Sequence, residues 1–128
     1  MKFHHVGIAC KDLNIAKEWV NLTHSIKEEK GPVFDSHQNA SFITLLTQEG
    51  FLIELISGEQ VSSILRKGIS LYHICYSVND LDKTIVELKE KGAIVIFAAK
   101  PAKLFDDQRI AFMNTPIGII ELLEEKKD

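Results

Sequence analysis

The stretch Phe3–Val20, FHHVGIACKDLNIAKEWV, returns in outline at Leu71–Gly92, LYHICYSVNDLDKTIVELKEKG. In both, an apolar run carrying a His leads through an Asp-Leu pair into a helical pattern. His5 corresponds to His73 and Asp12 to Asp80, at an offset of 68 residues (73 − 5 and 80 − 12). The echo continues where FLIELIS around Glu54 matches GIIELLE around Glu121, at an offset of 67 (121 − 54). Such a duplication restricts the fold severely. One unit alone is an open sheet with too little core, and two units together close a curved mixed sheet around a cavity.

The predicted elements follow from patterning. Strand parity over Phe3–Cys10 puts Phe3, His5, Gly7 and Ala9 on one face and His4 on the other. The helix after Asp12 has apolar positions at Leu13, Ala16, Trp19 or Val20, and Leu22. Gly31-Pro32 reads as a turn, with a second strand beginning near Val33-Phe34. Ser41–Leu46 and Phe51–Ile56 are strands joined by a hairpin loop at Gln48-Glu49-Gly50. Gly58–Ser70 is a polar linker with a short helical turn. The second unit then gives a strand with His73 beside Leu71, Cys75 and Ser77, and a helix burying Leu81, Ile85 and Leu88 before Gly92. Strands at Ala93–Phe97, Arg109–Met113 and Ile119–Leu123 follow, with Ala98–Asp107 as a long loop and Glu124–Asp128 as a solvated tail. The reading is an α+β chain of two tandem βαβββ modules, about 3–57 and 71–125, within a single domain of 128 residues. Trp19 and the phenylalanines are assigned to the core.

A formal charge of −3 with interspersed signs gives no basic stripe, so nucleic acid is not an expected partner. The apolar part of MKFHHVGIACKD is too short for a signal peptide or a membrane span, and a cytoplasmic protein that does not bind membranes is expected. Cys10 and Cys75 are not at equivalent positions and read as reduced, buried thiols. His24 and His37 fall in weakly patterned or polar stretches and are assigned to solvent; Lys100, Lys103 and Arg109 flank the long second-half loop, where a substrate carboxylate or a nucleotide phosphate is the alternative to the favoured surface solvation. There is no Gly-rich phosphate loop, nucleophile elbow or Ser/His/Asp arrangement.

The chemistry rests on what each half supplies. His5 precedes Glu54 by 49 residues (54 − 5) and His73 precedes Glu121 by 48 (121 − 73), so each unit offers one imidazole from its first strand and one carboxylate from its last. A carboxylate within an apolar strand such as FLIELIS needs a partner, because stripping its water costs several kcal/mol. Two imidazoles and two carboxylates suit a divalent transition metal with positions left for water or substrate.

The HHVGIACKDL and YHICYSVNDL openings, the two Ile-Glu-Leu segments and RIAFMNTPIGIIEL together resemble the vicinal oxygen chelate superfamily, which includes glyoxalase, bleomycin-resistance and methylmalonyl-CoA epimerase proteins. The resemblance spans Phe3 to Glu124. It implies a metal held by His5, Glu54, His73 and Glu121, with Co, Ni, Mn and Zn as candidates. It implies that substrate oxygens bind the metal, polarising a carbonyl and stabilising the enediolate left when a neighbouring C–H loses its proton. Glu121 is then the expected base and Glu54 its counterpart.

The opening and IAFMNTPIGIIEL resemble the methylmalonyl-CoA epimerase branch most, which implies an acyl-CoA thioester substrate. That branch carries a further acid-base Glu where this chain has Asp35, His37 and Gln38. A glyoxalase I-like lyase acting on a glutathione adduct is the alternative, although Gly7-Ile8-Ala9 lacks the Arg found there. An extradiol dioxygenase needs only one Glu, and a metal-free binding member of the superfamily would use the same pocket without turnover. The resemblance also implies a homodimer.

Overall fold

A computed structural model of the chain describes residues 1–126. Among the described residues eight strands and three helices alternate as two βαβββ modules, with the strands in the order β2-β3-β4-β1 in the first and β5-β8-β7-β6 in the second. Packing gathers the chain into two compact units. One runs from His5 to Tyr72, and the other comprises residues 1–4 and the chain from His73 onward.

In the first, strand β1 (Lys2–Ala9) leads to helix α1 (Leu13–Thr23), then to β2 (Ile26–Asp35), β3 (Ala40–Thr47) and β4 (Leu52–Gly58). Asp12 caps α1 by accepting from the Ile15 N–H at 3.0 Å, a bond of a kind worth about 1 kcal/mol. The helix lays Leu13, Ala16 and Val20 against Ile43, Leu45, Ile53 and Leu55. The opposite face of β3 and β4 therefore carries Phe42, Thr44, Glu54 and Ile56. β4 runs parallel to β1 with Glu54 opposite Gly7, and antiparallel to β3 with Glu54 opposite Thr44.

The second repeats the plan with β5 (Leu71–Val78), α3 (Leu81–Glu90), β6 (Ile94–Pro101), β7 (Arg109–Thr115) and β8 (Gly118–Glu124). Asp80 caps α3 as Asp12 caps α1, accepting from the Lys83 N–H at 3.1 Å. Leu81 packs with Val78, Ala111, Met113, Ile120 and Leu122, and Ile85 and Leu88 lie against that cluster. β8 runs parallel to β5 with Glu121 opposite Cys75.

Several expectations are corrected. Trp19 and Leu22 are exposed, at 63% and 84%, because Val20 takes the buried position and turns a second apolar stripe outward. Phe3, Phe34 and Phe51 are also exposed, so core packing accounts for Phe42 and Phe112 but not for every phenylalanine. Gly31-Pro32 is no turn. It lies inside the ten-residue β2 as an irregularity between Lys30 and Val33, with Gly31 at φ 104 and a cis peptide to Pro32. A Cβ on Gly31 would fall 2.5 Å from the Phe42 carbonyl oxygen, so the strand passes there only with glycine.

The linker holds a two-turn helix, α2 (Glu59–Arg66), anchored by the buried Val61. The expected loop after Phe97 is strand as far as Pro101, followed by a 3₁₀ turn at Lys103–Phe105 pinned by buried Ala102 and Leu104.

Glu124 is not a solvated tail residue. It ends β8, accepts from the Leu81 N–H at 3.1 Å and pairs with Arg109 at 2.9 Å. Arg109 also meets Asp82 at 3.0 Å, and its hydrogen bonds to Glu124 and then Asp82 raise its pKa further above the ordinary arginine value. The remainder of the expected tail, Lys127 and Asp128, lies outside the described residues.

Candidate metal centre

Each unit places one imidazole against one carboxylate. In the first, His5 and Gly7 share a face of β1, and the parallel register sets Glu54 across from Gly7, where no side chain fills the space. His5 Nε2 and Glu54 Oε2 are 3.3 Å apart, and the two side chains are 0% and 1% exposed. In the second unit, His73 and Cys75 share a face of β5, with Glu121 across from Cys75. His73 Nε2 lies 3.1 Å from Glu121 Oε1, at 0% and 2% exposure. The His73 ring is fixed on its other side by an edge contact to Phe112, centroids 5.2 Å apart.

The repeat thus builds the same pair twice by one device, a parallel first and last strand with a small residue opposite the acid. Carboxylates this deep demand compensating charge. Imidazole nitrogen and carboxylate oxygen form a donor set of borderline softness, matched to divalent first-row metals. The donors present therefore fit a metal ion.

The His4 ring meets Phe105 edge-on with centroids 5.6 Å apart. His24 and His37 are exposed. Cys75 is buried. Cys10 is half-buried and donates to the Ile56 carbonyl at 3.5 Å, and burial pushes its thiol pKa up despite that bond.

Where the epimerase branch has its extra Glu, Asp35 is buried and accepts from the His37 N–H at 2.9 Å and from Gln38 Nε2 at 3.0 Å. Sequence reasoning missed Thr44 and Phe112, which face Glu54 and Glu121 across the antiparallel pairs. Cross-strand register is not written in the local pattern, so only the hint of polarity at Thr44 was available.

Among the described residues no helix is long and apolar enough to cross a membrane. A relative from Cereibacter sphaeroides, an ethylmalonyl-CoA/methylmalonyl-CoA epimerase, is 28% identical over 106 residues, covering 78% of each chain. The crystal structure of methylmalonyl-CoA epimerase from Mycobacterium tuberculosis superposes with a TM-score of 0.77 at 25% identity, over 98% of this chain and 89% of that one. The Streptomyces coelicolor methylmalonyl-CoA epimerase variant in complex with 2-nitronate-propionyl-CoA has the same fold, with a TM-score of 0.73 at 20% identity over 98% and 94% of the two chains. The family model of the glyoxalase/bleomycin resistance protein/dioxygenase superfamily matches residues 4–112, and the chain belongs to that superfamily.

Proposed function

We propose that His5, Glu54, His73 and Glu121 together hold one divalent metal ion, and that the chain is a metal-dependent isomerase of the methylmalonyl-CoA epimerase kind. The observation that carries this reading is the repetition of one buried His–Glu pair at equivalent positions of both modules. It is supported by the donor set, since each pair joins a buried imidazole to a buried carboxylate, the composition that suits a divalent first-row metal. The similarity to the Cereibacter and Mycobacterium epimerases supports an acyl-CoA thioester as substrate.

A bound ion of this class supplies Lewis acidity, which makes the C–H beside a thioester carbonyl acidic. Glu121, as the carboxylate, takes the proton from that carbon, and Glu54, entering the cycle as the carboxylic acid, gives its own proton to the other face, so the centre inverts and the two acids end with exchanged protonation. Both pairs are buried, at 0–2% exposure, so the carbon is reprotonated by a carboxyl group rather than by solvent.

The molecule is a homodimer in this reading. Support comes from Ile15, Trp19 and Leu22, which form an exposed apolar stripe at i, i+4 and i+7 on α1. A stripe of this kind can pack against its own copy about a two-fold axis, and it supplies the apolar centre of a patch that must reach about 800 Å² per partner. Reduced Cys10 and Cys75 accord with the cytoplasm.

The test is exchange of the C2 proton of methylmalonyl-CoA in heavy water, with metal restored. Exchange that disappears in Glu121→Gln supports the reading, and unchanged exchange in that variant rules out the assigned base.

A further inference from the structure

β6 is irregular where it passes the second His–Glu pair. Val95 stands opposite Met113, yet Phe97 stands opposite Phe112, so one residue of β6 is surplus between them, and that residue, Ile96, is 54% exposed. A second shift follows between Phe97 and Lys100. In a regular strand Phe97 would share the face of Val95, which packs on the core formed by Leu81, Met113 and their neighbours. The surplus residue turns Phe97 to the other face, against Phe112, where the two rings meet edge-on at 78° with centroids 5.9 Å apart. Phe112 in turn stands opposite Glu121, and its ring meets the His73 imidazole at 70° with centroids 5.2 Å apart. At the equivalent places of the first module Thr44 stands opposite Glu54 and Lys30 opposite Thr44, so two places that carry rings in one module carry polar side chains in the other.

Glu121 Oε1, 3.1 Å from His73 Nε2, holds one atom of the imidazole. A contact at one atom leaves the ring plane unset, because rotation about the Cβ–Cγ bond of histidine has a broad profile. The nitrogen lone pair lies in that plane, so a tilt of the ring turns the lone pair aside even when Nε2 hardly moves. Phe112 is 2% exposed in a close-packed interior, and Phe97 packs against it. Edge-on rings attract as well as fill space, so the pair Phe97–Phe112 presses a preferred plane on His73.

We propose that Phe112, backed by Phe97, is a positioning residue that sets the plane of the His73 ring before any ion is bound. Affinity for the ion then depends on two side chains that donate nothing to it. The inference rests on the metal reading above, and the experiment separates the two.

Dissociation constants for Co(II) are measured by calorimetric competition with a chelator on wild type, Phe112→Leu, Phe97→Leu and Met113→Val. Met113 neighbours Phe112 on β7 but belongs to the core on the other face, so its variant loosens the same strand without touching the rings. On the metal-free chains the order parameter of the His73 ring C–H is measured by NMR, the resonance being assigned by its absence from His73→Gln. Phe112→Leu weakens Co(II) binding about tenfold and Phe97→Leu about threefold, as loss of the partners that orient a ligand does, while Met113→Val stays within about twofold. The ring order parameter, about 0.85 in wild type, falls below about 0.6 in Phe112→Leu and holds in Met113→Val. Unchanged affinity and ring order in Phe112→Leu, or an equal loss in Met113→Val, overturns the positioning role and leaves the metal reading standing. A wild type that takes up no Co(II) overturns the metal reading and this inference with it. If Phe112→Leu does not fold, Phe97→Leu, at a half-buried position, decides by the same two readings.

Discussion

Replacing Glu54 by glutamine removes a charge while keeping shape, at a side chain 1% exposed with His5 Nε2 3.3 Å from its carboxylate. In protein stripped by a chelator the substitution relieves the desolvation of a buried carboxylate. That penalty is several kcal/mol after relaxation, and the His5 contact offsets part of it, leaving a net gain of about 1–2 kcal/mol. For a domain of this size about 1 kcal/mol moves Tm by about 4 °C, so the variant melts about 4–8 °C higher than wild type without metal. With metal at about a hundred times its Kd, wild type gains about 2.7 kcal/mol, or about 11 °C, and the variant gains little because a neutral amide is a poor ligand for a divalent cation. The order of melting therefore reverses on adding metal. Differential scanning calorimetry with chelator and then with excess Zn or Co reads both arms. A variant that melts below wild type in chelator, or that keeps the full metal-induced shift, refutes the reasoning.

Gly31→Ala forces a Cβ to 2.5 Å from the Phe42 carbonyl at a positive φ, and urea titration should show a loss of about 2 kcal/mol or more. Trp19→Glu places a charge in the exposed stripe of α1 and should convert the proposed dimer to monomer in sedimentation velocity with its melting behaviour otherwise kept; a wild type that sediments as monomer removes the dimer. Burial raises the Cys10 pKa, so the folded state holds its proton where the unfolded chain has lost it. The stabilisation from this group is complete below the usual thiol value and is lost as pH climbs through the higher folded value. Cys10→Ala should accordingly flatten part of the alkaline loss of stability above about pH 9, and an unchanged pH profile counts against the shift.

The site candidates were legible because strand parity is a local property. His5 and His73 each sit two residues from a small residue on the same face, and the Ile-Glu-Leu segments expose their acids by contrast with apolar neighbours. The duplication then supplied the long-range pairing that no local pattern contains. Errors arose where one residue of rotation decides the outcome. On α1, Val20 and Trp19 are both apolar and differ by about 100° around the axis, and only the sheet chooses between them. Gly31-Pro32 carries a turn signature, yet the neighbouring β3 pairs on both sides of it and overrides that signal. Glu124 reads as the start of a charged tail because its partners, Arg109 and the Leu81 N–H, are 15 and 43 residues away. The asymmetry of Thr44 and Lys30 against Phe112 and Phe97 depends on register across three strands, which the sequence of any one strand does not carry.

The most direct measurement is the metal content of gel-filtered protein by plasma mass spectrometry after loading with Zn or Co, for wild type, His5→Ala and His73→Ala. One ion per chain is predicted for wild type, with loss in both variants, since the proposed site draws one imidazole and one carboxylate from each module. Retention of the ion after either substitution, two ions per wild-type chain, or no ion at all would contradict it.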